Sequence, residues 1–341
     1  MLSSDQIAAL EGHLIGALSA NSITIAKVKR FHGGASREVY GLDCIVDGAP
    51  RGLIVRRDPV DSLIKTERGV EFAAYRSMEG STVPVPRALS LVEDSALIGA
   101  PFFVMERIEN GVAAGGMDVN AYGAHRASIG AQFFTHLGAI HAVAPQTAPL
   151  ARAVEVPSPD QCWSREVDHW EAVIDRDARE PEPIARAAIR WLRRNPPPPA
   201  QRLAIVHGDY RNGNVLHDDK GNIIAVLDWE MAHIGDPLED LAWALDPLWN
   251  LQDDTRAAGL IAHSQAIAHW EQASGLTFNA GAFLWWEMFA TFKGLAIWIS
   301  SARAYSEGAN IDPILAYAGH HPKLLAHVTL TERLATLAEA L

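Results

Sequence analysis

The sequence predicts an α+β chain of two lobes, a small antiparallel sheet with one helix followed by a mostly helical region. Three observations carry this expectation. Residues 23–108 read as short extended runs separated by tight-turn residues. From about residue 120 onward helical patterning takes over. The change falls at Asn110–Gly111, dividing the chain into 1–108 and 109–341. At 341 residues, each lobe is long enough to bury a core of its own.

The elements follow in order. MLSSDQIAALEGHL reads as a helix with Ser4 as N-cap and Ile7, Leu10, Leu14 and Leu18 on one apolar face. Extended runs are expected at 23–31, 37–46 and Gly52–Arg56, with turns at HGGAS and at Asp47–Pro50. A helix is expected at 62–79. VPVPRAL then breaks it and extends the chain toward strands at 88–93 and 101–108. In the second lobe helices are expected at about 120–144, 163–178, 182–195, 238–250, 255–274 and 280–305. Pro196–Pro199 ends one of them and leads into an apolar strand, Leu203–Val206.

Composition narrows the function classes. A net charge of -12 leaves no basic footprint for nucleic acid. Two widely separated cysteines, Cys44 and Cys162, imply neither a disulfide framework nor a zinc site, and suit a reducing cytoplasm. The N-terminus has no signal-peptide pattern. The apolar stretch 282–299 carries Glu287 and Lys293 near its middle, which predicts a buried helix of the second lobe and no membrane span.

The chemistry is concentrated in IVHGDYRNGNVLHDDKGNIIAVLDWE, residues 205–230. Val215–His217 and Ile223–Leu227 read as two short strands around the turn-forming run Asp218–Asn222. A hairpin centred near Gly221 would set Asn214 opposite Asp228. An amide oxygen beside a carboxylate is hard, oxygen-only ligation, suited to Mg²⁺ held together with phosphates. Asp209, on the loop feeding the hairpin, could orient a hydroxyl or accept its proton.

His207-Gly208-Asp209, four residues, then Asn214 resembles the kinase catalytic loop, with Asp228 in the place of the metal-binding aspartate. Glycine after the histidine, and Asp-Trp-Glu at 228–230, are similar to the aminoglycoside phosphotransferase and choline kinase branch. The nearest likeness is to the kinase-like domain of acyl-CoA dehydrogenase 10/11-type proteins. It is carried by Gly33-Gly34-Ala35-Ser36, Ile54-Val55-Arg56, PFFVMER at 101–107 and GDPLEDLA at 235–242, in order from about residue 30 to 305.

The resemblance implies a bilobal protein-kinase-like fold and an ATP- and Mg²⁺-dependent phosphotransferase acting on a small-molecule hydroxyl. The acceptor is left open, with a hydroxy-acyl compound among the candidates. It implies Asp209, Asn214 and Asp228 as catalytic residues, with Asn214 and Asp228 on the metal. Gly33, Gly34 and Ser36 would lie over the ATP phosphates, where glycine allows close backbone approach. Arg56 would replace the usual lysine, paired with Glu71 or, one turn earlier, Glu67. Glu106 and Ile108 would belong to the interlobe hinge that meets adenine through its backbone. Asp240 would brace the catalytic loop, and His207 would orient it. A nucleotide-binding pseudokinase scaffold and a metal-dependent phosphoesterase are the competing readings.

Three residues have plainer expectations. His141, on an apolar helix, is expected to be a satisfied core histidine. Lys293 and Arg303 are expected on a solvated face.

Overall fold

The computed structural model describes residues 2–31, 38–57, 68–114, 120, 122–250 and 253–339. Gly33, Gly34, Ser36 and Glu67 therefore lie outside the described residues.

The chain opens with α1 (Ser4–Leu18). Its N-cap is Ser3, one residue before the expected Ser4: the Ser3 hydroxyl accepts from Gln6 N–H and the Gln6 amide accepts from Ser3 N–H, a reciprocal capping box. Strands β1 (Ile23–Phe31), β2 (Glu38–Val46) and β3 (Ala49–Arg57) form an antiparallel meander. Asp47 and Gly48, both at positive φ, close the β2–β3 turn. Helix α2 (Arg68–Ser77) follows, then β4 (Ala88–Val92) and β5 (Phe102–Glu106). The sheet order is β1-β2-β3-β5-β4.

Strand alternation decides what each sheet face does. Leu53, Val55, Phe102 and Val104 face α1 and pack with Leu10 and Leu14. Ile54, Phe103 and Met105 point the other way, into a core shared with α2 and with the helical lobe. The two lobes share part of their core. Only one face of the sheet has a core confined to the first lobe; the other face continues into the second. Arg56 lies on this second face.

The helical lobe begins with β6 (Val112–Ala113). Then come α3 (Arg126–Ala142), α4 (Cys162–Asp177), α5 (Pro183–Arg194), β7 (Ala204–Val206), β8 (Val215–His217), β9 (Ile223–Val226), β10 (His233–Gly235) and α6 (Leu238–Ala244). Helix α6 is shorter than the expected 238–250, because Pro247 cannot continue it and starts a short 3₁₀ turn. Residues 255–262 are not helical. Arg256–Ala257 pairs with Ile261–Ala262 around Ala258 and Gly259, both at positive φ. Helix α7 (His263–Ser274) starts only after that ladder, and α8 (Ala280–Ser306) forms the spine of the lobe. Two helices that the patterning does not assign complete the lobe, α9 (Pro313–Ala318) and α10 (His321–Glu339).

Helix α8 is buried on nearly all sides, as its apolar composition requires. Among the described residues no helix is long and apolar enough to cross a membrane. Cys44 and Cys162 are both buried, free thiols.

Candidate active site

Strands β7 and β10 pair antiparallel, His233 facing Val206 and Gly235 facing Ala204. This ladder sets the start of α6 beneath the loop that leaves β7 at His207. Asp240, on α6, accepts from the backbone N–H of His207 (2.6 Å) and of Gly208 (2.9 Å). His141 supplies a third bond. Trp270 Nε1 can only donate, so His141 Nδ1 accepts it at 2.8 Å. The ring proton is then on Nε2, which donates to Asp240 Oδ2 at 3.2 Å. Burial pushes the Asp240 carboxyl up, but His141 and the loop outweigh it, and the net shift is downward.

His207 uses both ring nitrogens in the same manner. Asp209 N–H donates to Nδ1 at 3.2 Å, and Nε2 donates to the Leu227 carbonyl at 2.9 Å. Burial lowers its pKa below the ordinary histidine value. This is a neutral ring tying the loop to the strand end before Asp228. Gly208 must be glycine: its φ is +83°, and a Cβ there would lie 2.4 Å from the Met231 carbonyl oxygen.

Asp209 is gripped on both oxygens. Trp243 Nε1 donates to Oδ1 at 2.9 Å, Asn214 Nδ2 donates to Oδ2 at 2.8 Å, and Arg211 Nε lies 3.1–3.2 Å from both. Asn214 Nδ2 also donates to the Asp209 backbone carbonyl at 2.9 Å. Both amide hydrogens of Asn214 are thereby engaged, which leaves its oxygen as the end suited to a cation.

The hairpin differs from the expected register by one residue. Val215 faces Val226 and Leu216 faces Ala225, so Asn214 stands opposite Leu227, whose N–H donates to the Asn214 carbonyl at 2.8 Å. The expected pairing of Asn214 with Asp228 is thus corrected. The reason is local. Asp218 folds the turn back by accepting from Lys220 N–H and Asn222 N–H, and a bulge follows between Leu216 and His217. Asp228 leaves strand geometry altogether, at φ +67°, a left-handed conformation that aspartate tolerates better than most residues. Its N–H donates to the Tyr75 hydroxyl at 3.1 Å.

Arg56 joins the two lobes at this point. Its Nε lies 3.0 Å from Glu71 Oε1 and its Nη2 lies 2.8 Å from Asp228 Oδ1. The structure thus puts Glu71 beside Arg56, while Glu67 lies outside the described residues. Burial pushes the Asp228 carboxyl up, but the Arg56 guanidinium reverses this and holds it below the usual aspartate value. Asp228 stays ionised, and its side chain is still 34% exposed. An ionised, accessible carboxylate and an amide oxygen on adjoining backbone are a donor set that fits Mg²⁺. Glu106 ends β5, with its carboxylate 2.6 Å from Arg51, and Ile108 follows where the chain leaves the sheet.

Several site residues escaped the sequence reading. Tyr75 had a usable signal, since it stands four residues after Glu71 on the same helix face. Trp243 and Arg211 had none that separates them from core and surface residues. Lys293 corrects an expectation. It is not on a solvated face but 1% exposed, donating to the Gly208 carbonyl at 2.6 Å and to Glu239 at 2.9 Å. Arg303 is partly exposed and binds Asp177 at 2.5 Å.

A five-stranded antiparallel sheet over a helical lobe, with a His-Gly-Asp loop and an Asp-bearing hairpin between them, defines the kinase-like phosphotransferase fold. A model described as the phosphotransferase enzyme family matches residues 27–276, and the chain belongs to that family. It is 30% identical over 243 residues to mouse acyl-CoA dehydrogenase family member 10, covering 69% of this chain and 22% of that protein. It is 24% identical over 295 residues to a probable acyl-CoA dehydrogenase, IBR3, of Arabidopsis thaliana, covering 80% of this chain and 35% of that one. The chain thus spans between about a fifth and about a third of these curated relatives. Among solved structures, a Ralstonia eutropha protein named as a candidate aminoglycoside phosphotransferase superposes with a TM-score of 0.74 at 21% identity, covering 96% of this chain and 98% of that one. A thermostable mutant of the aminoglycoside phosphotransferase APH(4)-Ia, in ternary complex with ADP and hygromycin B, superposes with a TM-score of 0.60 at 16% identity, covering 96% of this chain and 98% of that one.

Proposed function

We propose that this chain transfers the γ-phosphoryl group of ATP to a hydroxyl of a small molecule. The observation that carries the reading is the grip on Asp209: its carboxylate is fixed by Trp243, Asn214 and Arg211 on a loop whose backbone is itself pinned by Asp240. In phosphoryl transfer the protein contributes mainly position and charge. Asp209 would orient the acceptor hydroxyl and take its proton as the new P–O bond forms and the bond to the ADP oxygen breaks. Asn214 and Asp228 would hold Mg²⁺, which when bound supplies positive charge against the nucleotide phosphates. Arg56, anchored by Glu71, would meet phosphate oxygens, with Gly33, Gly34 and Ser36 covering them and the Glu106–Ile108 backbone meeting the base.

The acceptor has a candidate place. A cavity of about 240 Å³ lies against Trp243, the residue that binds Asp209, and is walled by Trp298, Leu248, Leu325, Asp246 and Asp254. Its described walls hold carboxylates and no Lys, Arg or His. Such a wall disfavours a free carboxylate on the acceptor and favours an uncharged or cationic alcohol. A hydroxy-acyl acceptor fits if its carboxyl is masked as an ester or thioester. A second recess, near Pro198, Asp236 and Trp270, encloses only about 20 Å³, too little for a metabolite.

The test is transfer of labelled γ-phosphate across a panel of alcohols, with and without a chelator, in wild type and Asp209→Asn. The variant should lose roughly 10²–10⁴ in turnover and still bind ATP–Mg²⁺. Full turnover in that variant on the true acceptor overturns the assignment of Asp209. Nucleotide binding with no transfer to any acceptor would favour the scaffold reading.

A further inference from the structure

Helix α8 carries a lysine, Lys293, that is only 1% exposed, and the phosphoryl-transfer reading assigns no role to a cation there. Desolvating an ammonium costs several kcal/mol, and a carbon side chain of similar length would fill the space without that cost. What the ammonium touches is therefore informative. Lys293 Nζ lies 2.6 Å from the Gly208 carbonyl oxygen and 2.9 Å from Glu239 Oε1. It also sits 5.3 Å from the ring centroid of Trp243 and 5.7 Å from that of Trp170.

We infer that Lys293 is a positioning residue for Asp209, acting on both the Gly208–Asp209 peptide and the Trp243 indole. This rests on the reading of Asp209 as the group that meets the acceptor. The peptide between Gly208 and Asp209 is held at both ends. Lys293 takes its carbonyl, and His207 Nδ1 takes its N–H at 3.2 Å. Fixing that plane fixes the direction in which Asp209 leaves the backbone. The constraint matters because Gly208, lacking a side chain and sitting at φ +83°, has more freedom to rotate than any other residue type. The second route runs through Trp243. The ammonium lies against its ring, and the same indole donates its N–H to Asp209 Oδ1 at 2.9 Å.

Neighbouring residues of α6 divide the work. Asp240 accepts the two loop amide hydrogens, and Glu239 aims the lysine at the loop carbonyl. Glu239 is itself set by His233, whose Nε2 donates to Glu239 Oε2 at 3.1 Å and lies 3.6 Å from Glu166 Oε1. Glu166, His233 and Glu239 lie close enough together to hold a metal ion. The lysine argues against it. The Lys293 ammonium already lies 2.9 Å from Glu239 Oε1, and a second cation beside it would be repelled, so His233 is read as bridging the carboxylates with its Nδ1 facing the Met231 carbonyl at 3.0 Å. The cluster is an orienting chain that ends on Lys293.

Lys293→Met alone would strand the buried Glu239 carboxylate, so the decisive variant is the charge-paired Lys293→Met/Glu239→Gln, compared with wild type in the full chain. Two quantities are read: steady-state ATP turnover with water as acceptor, and hydrogen exchange of the 207–211 amides. The expected result is a fall in kcat of about tenfold or more, a KM for ATP within about twofold of wild type, and exchange at 207–211 faster by about tenfold. Unaltered exchange at 207–211 overturns the inference, whether kcat holds or falls only in step with thermal stability. If wild type turns over no ATP with water, the alcohol panel still decides the functional reading, and the exchange measurement alone decides whether Lys293 holds the loop.

Discussion

Arg56 and Asp228 lie 2.8 Å apart, Nη2 to Oδ1, across 172 residues of sequence. The same guanidinium lies 3.0 Å from Glu71, so one side chain on β3 links the sheet, α2 and the segment after β9. A planar fork can serve two carboxylates at once, which a lysine ammonium at that depth does less well. Arginine here is a structural crosspiece, and in the proposed reading it is also the charge that would meet the nucleotide phosphates.

Arg56→Ala removes that crosspiece and leaves the fully buried Glu71 carboxylate without its guanidinium. Breaking a buried pair from one side costs about 3–5 kcal/mol. Arg56→Lys keeps the charge and should fall between the two. Denaturant unfolding measures both, and an alanine variant within about 1 kcal/mol of wild type would show that the pair does not stabilise the fold.

Gly208→Ala tests the loop backbone directly. The new Cβ would sit 2.4 Å from the Met231 carbonyl, at a φ of +83° that L-residues avoid. The strain alone is worth about 1–3 kcal/mol, and the clash adds to it. We expect a clearly lowered Tm and turnover reduced further than the stability loss accounts for. A variant with wild-type turnover would mean that the loop can relax without moving Asp209.

Much of this was readable beforehand because it is local. Alternation placed Ile54 and Arg56 on one strand face, and the spacing of Asp209 and Asn214 follows from a short loop feeding a hairpin. The failures are of a different kind. The hairpin register depended on how Asp218 closes its turn, and one residue of slip moved the partner of Asn214 from Asp228 to Leu227. Lys293 looked like a surface charge because its partners, Gly208 and Glu239, lie 85 and 54 residues away. Burial of a polar residue is decided by such distant partners, and periodicity along one helix carries no record of them. The ladder at 256–262 was missed for the opposite reason. Ala258 and Gly259 adopt positive φ in a stretch whose composition suits a helix.

The buried charge chain gives stability a defined pH dependence. Burial would lower the His233 pKa, but Glu166 and Glu239 outweigh it and raise it from 6.5 to about 9. A raised folded pKa means that the stabilisation is complete below about pH 6.5 and is lost as pH climbs through about 9. Burial would raise Glu239, but Lys293 and His233 hold it at about 2, so its contribution is present above pH 4.5 and lost only as pH falls through about 2. The buried thiols, pushed up to about 11 and about 12, titrate above the His233 window. Unfolding free energy should therefore decline between about pH 6.5 and about pH 9, and His233→Gln should flatten that decline. An equal slope in the variant would remove His233 from the explanation.

Trp243→Phe isolates one bond at the centre of the site. Phenylalanine keeps an aromatic ring toward Lys293 and the cavity but cannot donate to Asp209 Oδ1, a contact now 2.9 Å long. Arg211 and Asn214 still hold the carboxylate, so Asp209 should remain in place with a wider range of orientation. A hydrogen bond to a charged acceptor contributes about 1.5–3 kcal/mol, and part of that should appear in the barrier. We expect kcat to fall by about tenfold, which corresponds to about 1.4 kcal/mol, with the KM for ATP little changed because no nucleotide contact is assigned to Trp243. A rise in nucleotide KM at constant kcat would instead place Trp243 in binding, and would leave Asp209 oriented by Arg211 and Asn214 alone.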